Sequence, residues 1–212
     1  LTFSGGGELD NGLNVSISFV LDQGDNETDK EAGASEAPFD SHSVTISSDE
    51  LGSITMAGEG GSSAQGAIDT TAAGDLWDNT FTTATVTGSK PKASAAGSNG
   101  LTYVLPSLVD GFGLTASYAP KGSGADSSTS FAVSYTGIEG LTLNYGVGED
   151  NSTSGSTADV TTMKASYAYG PITVAYSDTE YDDETANQDQ EVSSFNISYT
   201  ISDAISVSYG EE

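Results

Sequence analysis

The sequence predicts an all-β chain: a transmembrane, antiparallel, up-and-down β-barrel, with twelve strands in this segment. Three observations predict it. Apolar residues recur at every second position through short runs. Tight turns alternate with long polar connections. Aromatic residues close the strands on the apolar parity, at both ends.

The strands follow in order. Leu1–Glu8 is a weak run, and Leu13, Val15, Ile17, Phe19 and Leu21 alternate cleanly with polar neighbours. His42–Ser48, Ser53–Gly58 and Leu101–Leu105 are short. Phe112–Tyr118, Phe131–Tyr135, Leu141–Val147, Met163–Tyr169, Ile172–Tyr176, Phe195–Tyr199 and Ile205–Tyr209 each place an apolar side chain at every other position. No segment sustains the 3.6 period of a helix.

The connections alternate in kind. Asp10-Asn11-Gly12, Asp49-Glu50-Leu51-Gly52, Val109-Asp110-Gly111, Gly137-Ile138-Glu139-Gly140, Tyr169-Gly170-Pro171 and Ile201-Ser202-Asp203-Ala204 have the composition of tight hairpin turns. Between the hairpins lie polar loops over Asp22–Asp40, Glu59–Gly100, Pro120–Ser128, Glu149–Ala158 and Thr179–Val192. In a meander this puts all short turns at one end and all long loops at the other, as in outer-membrane barrels. Greek-key sandwiches mix the two.

Tyr135, Tyr169 and Tyr199 precede short turns. Phe19, Tyr118, Tyr176 and Tyr209 precede long loops, with Tyr145 slightly earlier. These eight are expected to form aromatic girdles at the two membrane–water interfaces. The opposite parity is Ser, Thr, Gly, Ala and Asn, side chains too small to fill a core. They are expected to line a wide, water-filled lumen.

Composition narrows the function. The chain has 212 residues, 31 Asp plus Glu, five lysines, no arginine, one histidine and no cysteine, for a formal net charge of −26. Nucleic-acid binding requires Lys and Arg against phosphate, so it is excluded. Disulfides, thiolate sites and multi-histidine metal centres are excluded too. A composition this acidic also suits disorder, but the strand periodicity rejects that. With His42 alone and no G-x-S-x-G motif, no hydrolase triad is expected. No catalytic residue, cofactor or metal ligand is assigned. Asp22, Asp25, Glu27, Asp29 and Glu31 crowd one loop without the spacing of a calcium loop, and read as a solvated acidic surface. The remaining acids read as confined to loops and turns, almost absent from strand interiors.

The longest connection, residues 59–100, holds the only tryptophan, Trp77, and a loop of this size is usually functional. A helical turn is expected over Ala64–Ile68 or Asp75–Asn79.

The hairpin rhythm, the opening Leu1-Thr2-Phe3-Ser4-Gly5-Gly6-Gly7-Glu8-Leu9-Asp10-Asn11-Gly12 and the run Leu51-Gly52-Ser53-Ile54-Thr55-Met56 resemble Gram-negative general porins, including those of marine alphaproteobacteria. The resemblance spans essentially the whole chain through short motifs. It implies a 16-stranded homotrimeric barrel in the outer membrane, in contact with lipid and lipopolysaccharide. It also implies a third extracellular loop folded inward as a constriction. The first residue, Leu1, lies within an apparent strand, and the chain reads as a segment, residues 1–212, of a longer barrel. One strand before it and three after would give 16, and residues 59–100 would then be the third loop. On the resemblance, Asp69, Asp75 and Asp78 take the acidic side of the constriction, with Lys90 and Lys92 in the same loop. The family's opposing basic wall is missing, since Lys164 is the one basic residue at a lumen-parity strand position. The expected function is a passive channel for small hydrophilic solutes and cations. The competing reading is a secreted acidic β-rich surface protein, an adhesin or surface-layer subunit, because alternation also suits sheets packed in water.

Overall fold

The computed structural model describes residues 1–21, 39–59, 61–68, 71–72, 91–96, 99–122, 126–153, 155–184 and 188–212. Twelve strands form one sheet in chain order, each antiparallel to the next. They are β1 (Thr2–Glu8), β2 (Asn14–Leu21), β3 (Phe39–Ser48), β4 (Gly52–Glu59), β5 (Gly100–Val104) and β6 (Phe112–Ala119). The second half is β7 (Ser128–Tyr135), β8 (Leu141–Asp150), β9 (Ala158–Tyr169), β10 (Ile172–Asp183), β11 (Gln190–Ser202) and β12 (Ile205–Glu211). The predicted strand order and parity both hold.

Tight turns set the register. Gly52 and Gly140 close two of them with φ of 76° and 77°. A Cβ on Gly140 would sit 2.2 Å from the Ala168 carbonyl oxygen, and one on Gly52 would sit 2.2 Å from that of Val104. Only glycine meets both demands, a left-handed backbone and no side chain. The connection before β6 is longer than the Val109-Asp110-Gly111 turn foreseen, running from 105 to 111.

One face of the sheet is apolar and exposed. Ile17, Val44, Leu114, Val133, Leu143, Met163 and Ile197 all stand on it, open to the surroundings. An apolar face of this extent marks contact with a non-aqueous phase or another protein. Aromatic pairs brace it: Phe3 stacks on Phe19 with centroids 5.0 Å apart, and Phe112 meets Tyr135 at 4.5 Å.

The strands run further toward the long loops than the sequence suggests. Residues 179–183 and 190–192 were expected in a loop but belong to β10 and β11, and β9 starts at Ala158. Glu149, Asp150, Asp159, Glu180, Asp182, Asp183 and Glu191 therefore lie on strands, which corrects the expectation that acids avoid them. Tyr176 likewise lies mid-strand. The reason is physical. Ladder hydrogen bonds need only backbone, whereas alternation appears only where one face is apolar. Beyond Met163 and Tyr176 the outward face turns acidic, and the apolar side chains Ala158, Val160 and Tyr181 are buried on the opposite face, so the parity that marks the rest of each strand stops.

Candidate functional site: a loop across the polar face

The polar face of β6–β11 carries small side chains at matched register: Ser117, Ser130, Thr162, Thr179, Ser177 and Ser194. Across this face lie the three described parts of the long connection, residues 61–68, 71–72 and 91–96. The hydroxyls were expected to line open water. On β7, β9 and β10 they are instead covered, with Ser130 1%, Thr162 0% and Ser177 0% exposed.

The outgoing arm begins with the helical turn foreseen over Ala64–Ile68. The Ala67 amide donates to Ser63 O at 3.0 Å, and the Gly66 amide donates to Ser63 Oγ at 3.0 Å. The second candidate turn, Asp75–Asn79, lies outside the described residues. The arm then steps across the wall, bonding to β6, β7, β9 and β10. The Ala64 amide donates to Ser117 Oγ on β6 at 2.8 Å, and the Gln65 amide to Ser130 Oγ on β7 at 2.8 Å. Gln65 Nε2 donates to Thr162 Oγ1 on β9 at 2.7 Å. Lys164 Nζ on β9 donates to Thr71 O at 3.0 Å, and the Ala72 amide to Ser177 Oγ on β10 at 2.9 Å.

The returning arm is tied to the wall and to the outgoing arm. The Lys92 amide donates to Gln190 Oε1 on β11 at 2.8 Å, and the Ala95 amide to Glu149 O on β8 at 2.9 Å. The Ser94 amide donates to Gln65 Oε1 at 2.8 Å, and Ser94 Oγ donates to Ser63 Oγ at 2.7 Å. Gln65, 0% exposed, thus joins both arms to the wall through both ends of its amide. A loop backbone buried this way has amides that must find partners, and the wall hydroxyls supply them.

Lys92 and Lys164, two of the expected site residues, are held in place. The Lys92 ammonium stands 4.3 Å above the Tyr181 ring centroid and donates to Gln188 O at 3.0 Å. Tyr181 in turn donates through its hydroxyl to Asp150 Oδ2 at 3.0 Å. Lys121, in the connection after β6, pairs with Asp126 at 2.5 Å, and that hydrogen bond, with the charge behind it, holds the lysine above its ordinary pKa. Asp69, Asp75, Asp78 and Lys90 lie outside the described residues, as does the acidic run Asp22–Glu31. Among the described residues, no group of acidic and histidine side chains is arranged to hold a metal ion.

Over its whole length, residues 1–212, the chain matches the sequence model of the Gram-negative porin family. The chain belongs to that family. It is therefore an outer-membrane β-barrel protein, a channel and not an enzyme, and the soluble adhesin reading falls away. No curated protein matches it in sequence. Among solved structures, a mutant of the Rhodopseudomonas blastica porin is 14% identical, with TM-score 0.48, over 99% of this chain and 82% of that one. A triple mutant of the same porin is 13% identical, with TM-score 0.43, over the same shares.

The described parts of the connection lie on this polar face. Sequence reading missed Gln65, Ser63, Ser94 and their wall partners. One signal was available: Gln65 is the only long polar side chain between 60 and 68, amid Gly, Ser and Ala.

Proposed function

We propose that this porin is a passive, water-filled channel for small hydrophilic solutes that prefers cations, with residues 59–100 forming its constriction. The observation that carries the reading is the set of hydrogen bonds fixing both arms of that connection across β6–β11. A loop held there narrows the path along the wall. In this reading Asp69, Asp75 and Asp78 supply carboxylates to the constriction, with Lys90 and Lys92 in the same connection.

Charge supports the cation preference. The chain carries 31 carboxylate side chains against five lysines. Lys92 is engaged by Tyr181 and Gln188, Lys121 by Asp126 and Lys164 by the Thr71 carbonyl. A narrow aqueous path lined by one sign of charge concentrates counter-ions and repels co-ions.

In the same reading, Phe19, Tyr118, Tyr145, Tyr176 and Tyr209 meet the outer membrane interface, and Tyr135, Tyr169 and Tyr199 the inner one. β1 and β12 each have one neighbour in the sheet. Lipid cannot hydrogen-bond a free strand edge, so further strands complete the barrel, sixteen in all, assembled as a homotrimer among lipopolysaccharide.

The test is a planar bilayer under a potassium chloride gradient. The reversal potential should take the sign of cation selectivity. An anion-selective or unselective channel would contradict the reading.

A further inference from the structure

Two glycines on the lumen face of β8 have a role that the turn glycines do not. Gly146 and Gly148 are two apart, so they face the same way. Neither has a positive φ, so their backbone does not demand glycine. Glycine inside a strand weakens it and marks the close approach of another chain segment. That segment is the loop, and each glycine sits under a different arm. A Cβ on Gly146 would lie 2.7 Å from Ile68 Cδ1 and 3.1 Å from Gln65 Cα, both on the outgoing arm. A Cβ on Gly148 would lie 2.6 Å from Ser94 Cβ and Oγ, on the returning arm, and 2.7 Å from Ser130 Cβ.

We propose that Gly146 and Gly148 set the stand-off between the loop and the wall, and so act as size-determining positions of the channel. Carbon atoms rest at about 3.5–4.0 Å. A methyl at 146 would therefore need the arm above it to move away by about 1 Å, because its three nearest neighbours are all loop atoms; at 148 the crowding is shared between Ser94 on the arm and Ser130 on the wall. Movement away from the wall is movement into the lumen. The arms are also tied to each other through Gln65 and Ser94, so a push on one is passed to the other. The proposal rests on residues 59–100 being the constriction.

The experiment measures unitary conductance and uptake of neutral sugars of increasing size in Gly148→Ala, Gly148→Val, Gly146→Ala and the double variant Gly148→Ala/Ser94→Gly. Gly113→Ala is the control: it adds a methyl to the same face but beside Ser134 on the wall, not under the loop. Conductance and the size limit should fall from Gly to Ala to Val at 148, and fall at 146. They should return toward the parent value in the double variant, which removes the Ser94 side-chain atoms that the added methyl would meet. Conductance equal to the control in every glycine variant overturns the proposal, as does a rise. If Gly148→Ala yields no channels, recovery of channels in the double variant supports the seat, and Gly146→Ala, whose methyl has only loop atoms as its nearest neighbours, decides otherwise: parent conductance there overturns it. Deleting residues 73–89 separates the two levels. Unchanged conductance on deletion defeats the constriction reading itself. A rise on deletion, with inert glycine variants, defeats only the seat.

Discussion

The Gln65 amide nitrogen donates to Thr162 Oγ1 at 2.7 Å, joining a loop to a strand 97 positions away in sequence. Thr162 Oγ1 lies 2.9 Å from Thr179 Oγ1 on the next strand, so one side chain is linked to two strands of the wall. The Gln65 carbonyl end is used as well, by the Ser94 amide.

Gln65→Leu keeps most of the volume and removes both bonds. A buried donor or acceptor left unpaired costs about 1–3 kcal/mol. The loop should then visit unseated positions, seen as added noise in single-channel current and faster exchange of the Ser94 amide. Exchange and noise matching the parent would show that the amide does not hold the loop.

Lys92→Met keeps the stem over Tyr181 and removes the charge. The lost attraction is about 0.5–2 kcal/mol. Residues 91–96 should exchange faster or become open to protease, while residues 61–68, fixed by Ser117 and Ser130, should change less. Equal loosening of both arms would mean that the arms open as one unit.

Three carboxylates oppose one another where the strands extend toward the long loops. Glu149 pairs with Asp159, and Asp159 with Asp182. Directly opposed like charges in a sheet are destabilising, on the order of 0.2–1 kcal/mol per pair. Asp159→Asn relieves both pairings. Amide exchange in this part of β8–β10 should slow at low salt, and the gain should shrink as salt screens the parent. A salt-independent effect would remove charge as the cause.

Gly140→Ala places a side chain at φ 77° and against the Ala168 carbonyl. The left-handed conformation alone costs about 1–2 kcal/mol. The urea midpoint of unfolding from lipid should fall, with conductance of the folded fraction unchanged. An unchanged midpoint would mean that the turn has another conformation open to it.

What the sequence made legible follows where apolar surface was required. Phe131, Val133 and Tyr135 announce their strand because one face meets an apolar phase and the other water. Asp159, Glu180 and Glu191 announce nothing, since they stand on the parity that is apolar elsewhere, while Val160 and Tyr181 are buried on the opposite one. Lys164 could be placed on the polar face by counting, but its partner Thr71 could not. The loop seat was hidden for a related reason. Serine and threonine are spread through the whole chain, and only the folded register singles out Ser117, Ser130, Thr162 and Ser177 from the rest. The anchoring bonds span from 53 to 105 positions, and no local pattern records them.

The seat of residues 61–68 on the polar face of β6–β10 is open to a clean test, because the chain has no cysteine. The Ala64 backbone nitrogen is 2.8 Å from Ser117 Oγ, which holds the two Cα atoms within about 7 Å, near the span of a disulfide, so Ala64→Cys with Ser117→Cys sets a cysteine on each side of the seat. Mild oxidation of the folded porin in detergent, with the cross-link read by proteolysis between the two positions and mass spectrometry, measures the contact directly. Near-complete cross-linking is expected, at a rate independent of protein concentration and with conductance unchanged. Two thiols that stay free, or a conductance that changes when the bond forms, would contradict it.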